Sequence, residues 1–306
     1  MPPLLIARRN LLTLAATGLL ACACKPATPV PVAMSVQAKP KVLATMSILA
    51  DVARQIGAPD LEISSLIGPD QSAHHRDPTP TELTGFGAIS LLLHVGFKLE
   101  GWIDRIPEST GYRGPIIQAS EGITPILIEG RIPDSHTWQS FDGLRSYAQT
   151  ITKACIGLWP NLATSFEARL KTYLAELQTA RDEAVALLTP LRQDRRLIIV
   201  PHNSFRYLGR ELGLEFRGIS SLSTGAQPSA KALADLLDEI KSADAAACFV
   251  ETEADQRLMG QIAAESGSKL GGKLYTDSLS KPDGPAGTSV RMLAYNVATI
   301  AKALTP

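Results

Sequence analysis

Between Pro160 and Leu188 the chain places Leu162, Phe166, Leu170, Leu174 and Leu177 three and four positions apart, the spacing that gathers side chains on one face of a helix. Pro160 suits a first helical turn, where its missing N–H has no partner to lose, and Pro190 follows the end. At 1.5 Å per residue, roughly 28 residues reach about 42 Å. A rod of that length bridges two lobes and cannot act as a loose hinge, which argues against large domain closure. The length of 306 residues agrees, because a single core of that size usually gives way to two.

The segments on either side of the rod alternate short apolar runs with helical patterns. Before it, strands are expected at residues 41–45, 61–67 and 89–94, with a helix at 48–56. After it, strands are expected at 196–200, 245–250 and 273–276, with helices at 203–212 and 229–243. That alternation is the pattern of parallel α/β sheets. The fold class expected is therefore α/β, in two lobes that each carry a parallel sheet flanked by helices, joined by the one long helix. The boundaries expected are residues 41–159 for the first lobe, 160–189 for the linking helix and 190–306 for the second lobe. No sequence repeat links the two blocks.

The first 40 residues read as export and anchoring. Arg8 and Arg9 precede an apolar run over residues 11–20, long enough for a signal peptide and too short to span a bilayer. The run ends at Leu19-Leu20-Ala21-Cys22, which resembles a bacterial lipobox, so residues 1–21 are expected to be removed and Cys22 lipidated. Plain cleavage near Ala21 or Ala23 is the alternative, and Cys24 is a second candidate for the lipid. The arginine pair also resembles a twin-arginine signal, although ordinary signals carry such pairs. Residues 25–40 hold four prolines among small side chains and read as an extended tether within the 22–40 anchor segment. Cys155 and Cys248, in helical and apolar contexts, read as buried structural thiols.

Charge excludes several partners. The whole chain balances 30 basic against 30 acidic residues, and the chain from Cys22 onward keeps 28 basic against the same 30, because Arg8 and Arg9 leave with the signal. Neither that balance nor the 5% aromatic content suits nucleic acid.

Chemistry is expected at strand ends, since parallel α/β sheets bind ligands beyond the carboxyl ends of their strands. His202 follows the strand ending at Val200, Glu251 the run ending at Val250, and Asp277 the run 274–276, while His74 lies seven residues past the strand ending at Ile67. Imidazoles and one carboxylate make a sensible cage for zinc, which takes such ligands tetrahedrally at about 2.0 to 2.2 Å. No local His-x-x-x-His pair exists, so spacing leaves capping, surface and core histidines equally open.

The residues in order narrow this. Gly68-Pro69-Asp70-Gln71-Ser72-Ala73-His74-His75-Arg76-Asp77-Pro78-Thr79-Pro80 resembles the Pro-His-x-Tyr-Glu-Pro-Thr-Pro segment of the metal-binding lipoproteins that serve zinc and manganese ABC importers, the TroA-like solute-binding proteins. Leu99-Glu100-Gly101-Trp102, Ser135-His136-Thr137-Trp138, Pro201-His202-Asn203-Ser204-Phe205, Phe249-Val250-Glu251, the segment 274–280 and Met292-Leu293-Ala294-Tyr295-Asn296 match further family segments in order. The resemblance covers residues 41–304. It implies metal ligands at His74, His136, His202 and Asp277 and a metal buried between two similar lobes, with Asn203 beside the third histidine; Glu251, from its place at a strand end, is expected as an acceptor behind the ligands, an alternative ligand, or a structural residue between the lobes.

Departures from the family pattern are Arg76 for its Tyr, Asn203 for its Asp, and Gln139-Ser140-Phe141 for its Leu-Asp-Pro after the tryptophan, which alters the helix start there. The His- and Asp-rich loop of many zinc members is absent, which leaves the metal open. His75 is expected to be exposed, His94 to be hydrogen-bonded at a strand end, and Trp102 and Trp138 to pack around the cleft.

Together these imply an extracytoplasmic, lipid-anchored, monomeric solute-binding protein that passes Zn2+, or alternatively Mn2+, to a permease and its ATPase. A zinc hydrolase is the second class weighed. It fits less well, because catalytic zinc keeps an open water position and Asp277 would close a four-ligand shell. Cell adhesion through the exterior leaves no trace in the sequence.

Overall fold

The computed structural model describes residues 38–71, 74, 76–192, 196–219, 229–242, 246–251 and 256–305. The signal, Cys22, Cys24, nearly all of the tether and His75 lie outside them.

In chain order the elements are β1 (Lys41–Met46), α1 (Ser47–Gly57), β2 (Glu62–Ile67), α2 (Pro80–Thr84), β3 (Leu91–His94), α3 (Ile106–Thr110), β4 (Ile116–Gln118), β5 (Leu127–Ile128), β6 (Ile132–Pro133), α4 (Phe141–Leu158), α5 (Ala163–Leu188), β7 (Leu197–Val200), α6 (Arg206–Leu212), β8 (Glu215–Gly218), α7 (Ala230–Ser242), β9 (Ala247–Glu251), α8 (Gln256–Ser266), β10 (Lys269–Leu274) and α9 (Ser289–Leu304). One parallel sheet has the order β2-β1-β3-β4 and the other β10-β9-β7-β8; β5 and β6 pair as a short antiparallel hairpin. In the second sheet the central strands β9 and β7 are buried along their whole length, and in the first β1 and β3 are buried except at Lys41 and His94, as βαβ crossovers covering both faces require.

The rod is α5, preceded by a 3-10 turn over Pro160–Leu162. Phe166, Tyr173, Leu177, Ala180, Ala184 and Leu188 form its buried stripe, while Leu162, Leu170 and Leu174 lie half-buried at the margin. The small alanines let α9 and α4 close on it, a contribution that a count of leucines overlooks. The largest apolar core is continuous through both sheets: Val42, Ala44 and Leu93 of the first and Ile198, Val200 and Phe249 of the second belong to one cluster with α1, α4, α5 and α9. A buried carboxylate reinforces the join: Asp51 of α1 accepts from the backbone N–H and hydroxyl of Ser289, both at 2.7 Å, at the start of α9.

Several expected elements differ in extent. The helix expected at 203–212 begins only at Arg206, and the strand expected at 273–276 runs from Lys269 to Leu274. Helices α4, α8 and α9 add to the expected elements. Cys155 and Cys248 are free and buried, and burial pushes their thiols up to about 12 and about 11.

Candidate metal centre

Four loops converge, three after strands of the two parallel sheets and one after the β5–β6 hairpin. His74 comes from the loop between β2 and α2. There the Gly68 N–H donates to Gln71 Oε1 at 3.2 Å, and Arg76 turns back to donate to the Leu66 carbonyl (2.8 Å) and to Glu82 (2.6 Å). Thr79 and Glu82 close a capping box that starts α2 just beyond. His136 follows the β5–β6 hairpin. After it the chain turns so tightly into α4 that a Cβ on Gly143 would meet the Thr137 carbonyl at 1.8 Å, which requires glycine there. Ser140 caps that helix by accepting from the Gly143 N–H at 3.0 Å. His202 lies two residues beyond β7, Glu251 ends β9, and Asp277 lies three residues beyond β10.

The chain brings His74, His136, His202 and Asp277 together: one ligand atom from each lies within 4.8 Å of all the others. Nε2 of His74 stands 2.9 Å from Nε2 of His136 and 3.4 Å from Asp277 Oδ2. Asp277 Oδ1 lies 3.8 Å from His202 Nε2 and 4.0 Å from His136 Nε2. Ligands about 2.0–2.1 Å from a tetrahedral ion sit about 3.3 Å from one another, and the measured separations bracket that value. Asp277 is 3% exposed, and its Oδ1 has no hydrogen-bond partner among the described residues, an arrangement that is costly unless a cation sits nearby.

Carboxylates behind the rings fix which nitrogens face the centre. Asp134 Oδ1 accepts from the His136 backbone N–H (3.0 Å) and from its Nδ1–H (2.7 Å), and Glu251 Oε2 holds His202 Nδ1 at 2.5 Å. In both rings Nδ1 donates outward, so Nε2 presents its lone pair inward. His74 Nε2 then donates to His136 Nε2 and must give up or relocate that hydrogen when a cation binds.

The electrostatics agree with a cation site. Burial works to raise the Asp277 carboxyl, but electrostatic attraction to the rings of His202 and His74 outweighs it and holds the group well below the usual carboxylate range. Burial lowers His136 against the opposing pull of Asp134, which favours the neutral, coordinating ring. Burial also opposes ionisation of Asp134, yet its hydrogen bonds to His136 and Arg206 keep it low. Glu251 is raised by burial, with His202 pulling the other way.

The remaining expected residues divide. Glu251 stands behind His202, within hydrogen-bond distance of its Nδ1. Asn203 does not touch an imidazole: its amide donates to the Phe216 carbonyl on β8 at 3.1 Å, because β8 runs so close that Gly218 has no room for a Cβ beside Asn203. His94 lies 3.7 Å from Glu100, inside a buried network with Thr45 and outside the cluster. Trp138 packs against His136 with ring centres 5.0 Å apart. Trp102, expected beside the cleft, instead joins Leu43, Phe86, Leu92 and Tyr112 in a separate core. Sequence reading missed Asp134, although Asp-x-His is short enough for a carboxylate to reach back to its own neighbour's ring. It also missed Arg206, which donates to Asp134 Oδ2 at 2.9 Å, and Tyr207, whose hydroxyl donates to the Asp134 carbonyl at 2.8 Å. Both lie about 70 residues away in sequence and leave no local signal.

Comparison with known proteins bears on this arrangement. Residues 42–303 match the family described as ZnuA, zinc-uptake complex component A, periplasmic. The chain is 25% identical over 276 residues to the iron ABC transporter substrate-binding lipoprotein MtsA of Streptococcus pyogenes serotype M1, covering 87% of this chain and 89% of that one. It is 25% identical over 265 residues to the manganese-binding lipoprotein MntA of Halalkalibacterium halodurans, covering 86% and 88%. Its fold is that of the periplasmic zinc-binding protein TroA from Treponema pallidum, with a TM-score of 0.81 and 23% identity over 88% of this chain and all of that one.

Proposed function

We propose, on the premise that this chain belongs to the ZnuA family of substrate-binding proteins of metal ABC importers, that it captures one divalent transition metal, zinc first, through His74, His136, His202 and Asp277. The observation that carries this reading is the convergence of four ligand atoms from four separate loops to within 4.8 Å. Three imidazole nitrogens and one carboxylate favour zinc, and four protein ligands leave no open position for a catalytic water. Delivery to a permease and its ATPase, and anchoring through a lipid on Cys22, follow from the family and the lipobox. The proposed lobes are residues 41–159 and 190–306, with residues 160–189 linking them. Among the described residues no helix is long and apolar enough to cross a membrane.

One observation favours manganese as the second reading. Asp277 turns both oxygens toward the rings, Oδ2 to His74 and Oδ1 to His136 and His202. A carboxylate so placed can bind through both oxygens and expand the shell, as manganese prefers. Elemental analysis of protein purified without added metal, followed by zinc against manganese competition, tests both readings. One equivalent of zinc that manganese cannot displace is the expected result. A chain that takes up neither metal refutes the site, and manganese held against excess zinc refutes the assignment of the metal.

A further inference from the structure

Asp277 belongs in sequence to the second lobe, three residues past β10, yet the loop that carries it is tied to the first. Gln139 lies immediately before the α4 cap and its side chain is fully buried. Its Nε2 donates to the Tyr275 carbonyl at 3.0 Å and to the Thr276 carbonyl at 2.6 Å, one hydrogen to each. Trp138 Nε1 donates to the same Thr276 carbonyl at 2.7 Å. On the far side of Asp277 the Leu279 N–H donates to Ser47 Oγ at 3.0 Å, and the Leu279 carbonyl accepts from the Asp70 N–H at 3.1 Å. First-lobe groups thus grip the backbone on both sides of the carboxylate.

Gln139 occupies the place where the resembled family carries Leu, a residue with no hydrogen to donate. We propose that Gln139 is a positioning residue that fixes Asp277 to the first lobe before metal arrives, and so slows metal release. The proposal rests on the metal reading above. The geometry separates this role from simple packing. Without the amide, Tyr275 O keeps its bond from Asn296 Nδ2 at 2.7 Å and Thr276 O keeps Trp138, so neither carbonyl is orphaned. Among the described residues Gln139 Oε1 is itself buried without a hydrogen-bond partner, so an apolar side chain of similar size removes an unsatisfied acceptor. Stability and metal retention should therefore respond in opposite senses, which a packing residue would not produce.

The test is Gln139→Leu in the full chain. Three results are expected: thermal stability of the metal-free protein equal to or above wild type, faster amide exchange over residues 276–279 in the metal-free state, and zinc release to a chelator about tenfold faster, the low end of what loss of an outer support costs a metal site. A double-mutant cycle then asks through which ligand the effect runs. In an Asp277→Asn background Gln139→Leu should change zinc affinity little, whereas in a His202→Ala background its effect should persist. Unchanged exchange and release in Gln139→Leu, or independent addition with Asp277→Asn, would overturn the clamp while leaving the site intact. A wild-type chain that binds no divalent metal would overturn the site, and the role of Gln139 with it.

Discussion

The loop that carries His136 and the loop that carries His74 deliver neighbouring ligands by different means. Residues 134–142 are fixed by side chains from every direction: Asp134 on the ring, Arg206 and Tyr207 on Asp134, and Glu211 of α6 on the Phe141 N–H at 2.9 Å, itself paired with Arg181 of α5 at 2.7 Å. Around His74 the described contacts are the Gly68 N–H on Gln71 and Arg76 on the Leu66 carbonyl and Glu82, and the His74 side chain is 27% exposed where that of His136 is 9%. The contrast separates two tasks. The buried ligand is oriented by the side chains packed around it, and the half-buried one is in reach of solvent.

That contrast can be broken most directly at the ligands. His136→Ala should lower zinc affinity by more than about 100-fold, beyond the usual cost of losing an outer support, and it also strands Asp134. His74→Ala should cost less, about 100-fold at most, because water can reach the vacated position and complete the shell. Chelator competition on both variants decides it, and a larger loss at His74 would reverse the assignment of roles.

Acid sharpens the same comparison. Each coordinated imidazole must be neutral, so affinity falls as pH falls. Burial holds His136 below the ordinary value of about 6.5, so it remains unprotonated where a free imidazole would already carry charge. The slope of log affinity against pH should therefore stay below three just under pH 6.5 and steepen only at lower pH. For the metal-free protein the sign is the same: below about pH 6.5 the unfolded chain binds a proton that folded His136 resists, so stability decreases as pH drops. Competition titrations from about pH 7.5 to 5.5, and melts over the same range, measure both.

Behind the rings, Asp134→Asn should weaken binding by about 10- to 100-fold, with Glu251→Gln in the same range, because each carboxylate sets which nitrogen faces the ion. Affinity unchanged from wild type in both variants would mean the rings need no such support. The smallest effect lies at the helix start: Ser140→Ala should lower metal-free stability by about 1 kcal/mol in denaturant unfolding and leave the metal spectrum unchanged.

How much of this could be read from the chain alone depends on sequence distance. The rod, the alternation of strands and helices, and the strand-end positions of His202, Glu251 and Asp277 are local features, fixed by periodicity and by the rule that parallel strands end at their ligands. His74 and His136 became candidates through an ordered set of family-like segments, since neither lies within a few residues of another ligand. The extents of α6 and β10, and the separate burial of Trp102 and Trp138, were not legible, because apolar residues mark burial without saying in which core.

The sequence by itself determined a two-lobed α/β chain with its polar chemistry at strand ends, because those properties follow from the spacing of side chains along each element. Only the tertiary structure decided that Asp134 and Glu251 aim two imidazoles inward, that Asn203 serves β8, and that Gln139 reaches Tyr275 and Thr276. Glu251 and Gln139 reach partners 49 and 136 positions away, Asp134 and Asn203 partners 2 and 13 positions away, and all four contacts depend on loop paths and on single glycines such as Gly143 and Gly218. A hydrogen bond's strength depends on distances of tenths of an ångström, and such distances are set by the packing of the whole core, which no local pattern encodes.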